Sequence, residues 1–302
     1  MPMNNRLLVP QKLPLLLDYA GGAAAAYSLR SLSNSYVGPV VTVRRSTDNV
    51  EADFTSTEVS DNTLAAWCGG GDGFVKTWHD QSLNGRDATQ ATTAAQPKIV
   101  SSGVLVTEGG KAAVQFDGVD DRLAVPSSIA VFKFLHDGTQ SALFCVARFG
   151  ESTNPGAFYS LAGSSGASSA NVGFFVGYYD ISPINDRLSV SVARGVSGML
   201  AFNSTVDDNI KPARQAILSL LYDVASNSVT ERVRMHVDAA LVSNGNTFSH
   251  APSSSNATYD MQIGASGAST FPLLGTISEL IIYPTDMTAL RTRIEGDLAW
   301  YY

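Results

Sequence analysis

Positive charge is scarce in this chain. Lys and Arg together number 20 among 302 residues, against 27 Asp and Glu, for a formal charge of −7. Neutralising phosphates takes clustered cations, and Arg44-Arg45 is the only adjacent basic pair, so non-specific nucleic-acid binding is excluded. Cysteine is scarcer still. Cys68 and Cys145 stand alone, and two thiols make no disulfide framework, although a bond between them stays open. Cys145 sits in the apolar run Ala142 to Phe149, where a free thiol acts as a small core hydrophobe. The four histidines, His79, His136, His236 and His250, are scattered without metal-ligand spacing. Long apolar runs are missing as well: nothing approaches the ~20 residues of a membrane helix, which excludes membrane insertion through one. Leu13-Pro14-Leu15-Leu16-Leu17 is too short and too broken by proline for a signal peptide, so no export address is expected.

What is present is core. Hydrophobic residues make up 44% and charged ones 16%, enough for one large domain and too apolar for disorder. The chain is organised around the stretch Phe74 to Asp121. Aromatic and β-branched residues up to Trp78 predict a strand. Asp80, Ser82, Asn84 and Gly85 then predict a turn whose short side chains bond back to their own backbone. A second strand, Val114 to Phe116, runs into the polar turn Asp117 to Asp121.

Residues 1–19 read as an N-terminal arm, because Pro2, Pro10 and Pro14 deny its leucines a helix. Ala25, Leu29, Leu32 and Tyr36 fall at helical spacing after an alanine run, which predicts a helix over 23–34. Val40 to Arg44 is predicted as a strand, Ser46 to Asn62 mostly as loop, and Thr63 to Trp67 as a short helix. Gly69 to Gly73 is a turn, since no Lys-Ser/Thr follows to make it a phosphate loop. Beyond residue 140 strands alternate with Gly, Ser, Asn and Pro clusters: 143–149, 158–161, 172–179, 188–192, 216–222, 232–237, 261–263 and 276–283. That is the rhythm of a β-sandwich. Val233, Met235 and Val237 alternate with Arg232, Arg234 and His236, which predicts one face in water. A final helix over 287–300 follows Asp286 as its cap.

Three segments carry a resemblance: Ala24-Ala25-Ala26-Tyr27-Ser28-Leu29-Arg30, Val43 to Asn49, and Trp78-His79-Asp80-Gln81-Ser82-Leu83-Asn84-Gly85. They resemble the catalytic domain of arabinofuranosidase-B-type glycosidases, a kind of domain also found in bacteriophage virion proteins. The second half is similar to concanavalin-A-like, laminin-G-like jelly rolls at Phe116 to Asp121, Val237 to Ala240 and Gly275 to Tyr283. Together these segments imply an all-β fold, a concanavalin-A-like sandwich over residues 20–302. A retaining glycosidase needs two carboxyl groups ~5 Å apart. The later acidic residues Asp180, Asp186, Asp207, Asp208, Asp223, Glu231, Asp238 and Glu279 stand in no segment matching the family's catalytic carboxylates. No catalytic residue is assigned.

Two binding candidates remain. Asp117, Asp120 and Asp121 offer three carboxylates within five residues, which suits calcium, while an ordinary Asp-Gly turn neutralised by Arg122 is the competing reading. Tyr178 and Tyr179 adjoin the turn 180–186, so one ring is expected to face outward toward a carbohydrate; core packing is the alternative. Trp67, Trp78 and Trp300 are further aromatic candidates, Trp78 being core. Asp80 and Asn84 are read as turn residues ahead of ligands. The leading expectation is a bacteriophage virion structural protein, a capsid decoration, head fibre or tail fibre subunit assembled in the host cytoplasm. Its partners would be other virion proteins or copies of itself through the arm, and host-surface glycan. An arabinofuranosidase-like glycoside hydrolase or a free carbohydrate-binding module is the alternative.

Overall fold

The structure is a computed structural model. It describes residues 12–151, 158–166, 168, 170–181, 185–196, 200–203, 213–222, 233–243 and 252–302. The strand Leu274–Tyr283, buried at every residue but its first, is the spine of one layer. On one side it pairs with Ser141–Phe149, which continues through Gln215–Tyr222 and Val233–Val237 to Ala240–Ser243. On the other side it receives Ala25–Ser28 along one half and Val114–Asp117 along the other. The facing layer runs from Leu200–Asn203 through Asn185–Arg194, Val172–Ile181 and Phe158–Gly163 to Gln262–Ile263. It continues through Leu123–Ala124, Ala88–Thr89 and Gly73–Trp78 to Val41–Arg45 and Glu51–Phe54. Lys98–Ser101 bridges the layers, pairing with both Val114–Asp117 and Gly73–Trp78. Every one of these pairings is antiparallel, and apolar side chains of both layers, such as Leu143, Leu218, Phe174 and Val190, meet in one core. This is an all-β sandwich of the predicted class.

Four α-helices occur among the described residues: α1 (Leu16–Tyr19), α2 (Ser56–Ser60), α3 (Thr63–Cys68) and α4 (Arg291–Tyr301). A second apolar cluster forms on the outer face of the spine layer. There Leu16, Leu32, Ile294 and Leu298 cover Phe144, Val146, Ile281 and Tyr283. The strands expected beyond residue 140 are all present within a few residues, and Cys68 and Cys145 are buried free thiols.

Three expectations are corrected. The helix predicted over 23–34 is a strand, Ala25–Ser28, fully buried beside the spine with Ala25 opposite Ile282 and Ser28 opposite Glu279. Alanine's helix propensity is a weak preference, and burial on both faces of the strand, Ala25 and Tyr27 in the main core and Ala26 in the outer cluster, overrides it. The segment 46–62 holds a strand and α2, whose Thr55 and Glu58 form a reciprocal capping box. The polar face of Val233–Val237 is only partly in water, because His236 is buried while Arg234 is half-buried and donates to the Thr288 hydroxyl at 2.7 Å.

The turn after Trp78 is built as predicted, and it anchors the first strand. The buried Asp80 carboxylate accepts hydrogen bonds from the Ala26, Ser82 and Arg86 amides and from the Ser82 hydroxyl. Gln81, also buried, donates to the Ser28 and Arg30 carbonyls and accepts from the Leu32 amide. Asn84 donates to the Ala23 and Ala24 carbonyls. Asp80→Ala orphans several buried donors at once and is expected to cost about 3–5 kcal/mol. Asp80→Asn keeps one acceptor oxygen and should lose less; equal losses in chemical denaturation would refute this role.

The arm divides. Leu13 is 83% exposed, whereas Leu16 is fully buried in the outer cluster and Leu17 bonds through its amide to the Leu32 carbonyl. Leu7, Leu8 and Val9 lie outside the described residues. Deleting residues 2–17 therefore removes core, and should lower the melting temperature by roughly 5–15 °C. Deleting 2–11 spares Leu16 and should lower it less; a matching fall in both deletions would contradict this role of Leu16.

Candidate functional site

The three aspartates do come together, each offering a carboxylate oxygen within 4.8 Å of the others. Strand alternation places them. Val114 and Phe116 point into the core, Gln115 and Asp117 point out, and the chain then turns through Gly118 at φ 78°. Asp117 Oδ1 accepts from the amides of Val119 (2.8 Å), Asp120 (3.3 Å) and Asp121 (3.4 Å). Asp121 Oδ2 accepts from the Asp117 amide at 3.0 Å. The Arg122 Nη1 of the competing reading donates to the Asp120 carbonyl at 2.8 Å.

Asp117 and Asp121 form part of the wall of an open cleft of about 440 Å³, with Phe74, Lys98, Gln115 and Leu274. Asp117 and Gln115 are exposed, while Asp121 is only 7% exposed. Burial, and then the neighbouring charge of Asp117, push the Asp121 carboxyl up to about 7. Lys98 reaches Asp72 at 2.8 Å, and its ammonium stands 5.7 Å from the centre of the Phe74 ring. The cleft thus sets hydrogen-bond donors and acceptors of several kinds against apolar Phe74 and Leu274. Sequence reasoning missed Phe74, Lys98, Gln115 and Leu274. Gln115 was findable, since period-two alternation marks it as outward-facing, but its cross-strand pairing with Lys98 is set by tertiary register.

The tyrosine pair is corrected in part. Tyr178 is 1% exposed and stacks on Phe149 with ring centroids 5.0 Å apart, so it cannot meet a carbohydrate. Its strand is covered on that face by the opposite layer. Tyr179 is half-buried beside Phe158. Trp78 is core as expected, Trp67 packs edge-on against Phe54, and Trp300 is exposed. Asp207, Asp208, Asp223 and Glu231 lie outside the described residues.

No protein-family profile matches the sequence, and no curated protein aligns with it. Solved structures do match the fold. An arabinofuranosidase complexed with arabinofuranosyl-α-1,2-xylobiose superposes with a TM-score of 0.61 at 13% identity, over 91% of this chain and 62% of that one. A GH54 α-L-arabinofuranosidase soaked with a cyclic sulfate inhibitor superposes with a TM-score of 0.60, at the same identity and coverage. At that identity the likeness is one of fold, and the chain spans less than two thirds of either neighbour's length.

The Asp121 carboxyl makes a signed prediction. Its folded value is raised to about 7 from the ordinary 3.8. The stability it contributes is therefore complete below about pH 4 and is lost as pH rises toward 7. Asp121→Asn should melt higher than the parent at pH 8 and alongside it at pH 4. A difference that does not change with pH would show that the carboxyl is not raised.

Proposed function

We propose that this chain is a carbohydrate-binding β-sandwich, and that the cleft beside Asp117 and Asp121 receives the glycan. The observation that carries the reading is the lining of that cleft. Sugar hydroxyls both give and take hydrogen bonds, and Asp117, Asp121, Gln115 and Lys98 supply acceptors and donors around an apolar patch. The fold likeness to arabinofuranosidases supports the same class of ligand. Calcium, where bound, is held by Asp117, Asp120 and Asp121, with other oxygens completing the six to eight it needs.

Binding rather than hydrolysis is the reading because the two cleft carboxylates are tied into one turn by backbone amides. The setting proposed from the sequence resemblance is a virion, with the segment before residue 15 as the contact to other subunits.

A glycan panel tests the function. Oligosaccharides carrying arabinose, galactose or glucose should be retained, and Gln115→Ala and Asp121→Ala should each weaken retention roughly tenfold. Calcium should strengthen retention in the parent and not in Asp121→Ala. Arylated arabinofuranosides, galactosides and glucosides should release no product. Release that disappears in Asp121→Ala would make the protein a hydrolase, and failure to retain any glycan would remove the cleft's assigned role.

A further inference from the structure

We propose that a second binding site lies between α4 and the hairpin 233–243, and that it takes a neutral, hydroxyl-rich ring of the sugar class. The site is a groove of about 450 Å³, floored by Val146, Ala216 and Ile217 and walled by Asp238 and Ala239 on one side and Glu295 and Gly296 on the other.

Glu295 is the first sign that something belongs there. It is 3% exposed; its Oε2 accepts from Arg291 Nη1 at 2.6 Å, but its Oε1 is buried and has no hydrogen-bond partner. An ionised oxygen left without a donor is costly, so a donor is missing. Behind the groove, and not lining it, His236 Nδ1, Arg234 Nε and Ser219 Oγ are buried as well. Ser219 and His236 face each other across the strand pair, and Arg291, Glu295 and Arg234 all act electrostatically on His236.

The second sign is Gly296. Glycine in a helix interior costs about 1 kcal/mol relative to alanine, yet nothing lies within 4 Å of where its Cβ would stand. Gly296 is exposed, so the groove is open to solvent along this wall. One turn further on, Trp300 is 85% exposed, an aromatic face left in water on the same helix.

Charge and hydrogen-bonding capacity decide the ligand class. Glu295 is paired with Arg291, and Asp238 with Arg214 at 2.7 Å, so the walls hold little net charge and favour neither a cation nor an anion. The unmet atom of the lining is the acceptor Glu295 Oε1, and Gln215, Thr292 and Tyr302 add side chains that both donate and accept. A hydroxyl serves both, giving one hydrogen bond and accepting others, and the C–H face of a sugar ring suits the floor of alanine and isoleucine.

This site does not depend on the cleft at Asp121, and the test separates them. Methyl glycosides of arabinofuranose, galactose and glucose are titrated into the full chain while tryptophan emission is followed. Trp300 is the exposed reporter, so a saturable blue shift that is lost in Trp300→Phe is expected. Gly296→Leu fills the groove while improving helix propensity, and should weaken binding roughly tenfold or more without lowering the melting temperature. Glu295→Gln removes the ionised acceptor while retaining an oxygen for Arg291, and should weaken it by a similar factor. If Gly296→Leu fails to fold, Glu295→Gln decides alone. No shift with any glycoside, or a shift that survives both substitutions, overturns the proposal. So does a soaked crystal in which only water bridges Glu295 and His236.

Discussion

A buried ion pair joins the first strand, the last strand and the last helix of this sandwich. Glu279, on the spine, accepts from Arg30 Nε at 2.8 Å and Arg30 Nη2 at 3.1 Å. It also takes the Ser28 hydroxyl at 2.8 Å and the Tyr302 hydroxyl at 3.1 Å, while Arg30 continues to Asp297 on α4 at 2.6 Å. Burial alone would pull the Arg30 guanidinium down, but the charge of Glu279 holds it well above its ordinary value. A buried pair is weak evidence for net stability, because desolvation offsets most of the attraction. Its contribution here is register. Ser28 must face Glu279 for the carboxylate to find its donors, and only that alignment also sets Ala25 opposite Ile282. Where the spine meets Ser141–Phe149 the pairing skips a residue, with Glu279 opposite Val146 and Ile277 opposite Ala147. The extra residue is Ser278, whose hydroxyl takes a hydrogen bond from Gln215.

The same network explains which parts of the fold were legible in the sequence. The turn from Asp80 to Gly85 was readable because Asp, Ser and Asn bond locally, and local chemistry is written in adjacent residues. The later strands were readable because apolar runs between turn residues need no partner to be recognised. Ala25 to Ser28 was not, since alanine spacing suits a helix, and the contrary evidence lay some 250 residues away at Glu279. The capping box at Thr55 and Glu58 was visible in the sequence and was passed over within a polar stretch. Tyr178 failed for another reason: alternation says that one of two adjacent tyrosines faces inward, but not which one. The structure answers with the ring of Phe149. For the cleft, the aspartates were legible as a cluster, whereas Lys98 and Leu274 joined them only through pairing across the sheet.

Two carboxyl groups in a cleft, one held protonated toward neutral pH, invite comparison with a glycosidase pair. The comparison fails on where the oxygens point their lone pairs. Asp117 Oδ1 is occupied by three amides of its own turn, and Asp121 Oδ2 by the amide of Asp117. A nucleophile and an acid must flank the bond they cleave from separate positions. These two share a five-residue loop, and each helps to hold the other's backbone. With Asp120, each offers a carboxylate oxygen within 4.8 Å of the others. Beside them Leu274 is the cross-strand partner of Asp117, and Lys98 that of Gln115, so the cleft's apolar and cationic groups stand next to the same strand. The turn that buries Asp121 and raises its carboxyl is the same one that ties it to the Asp117 amide.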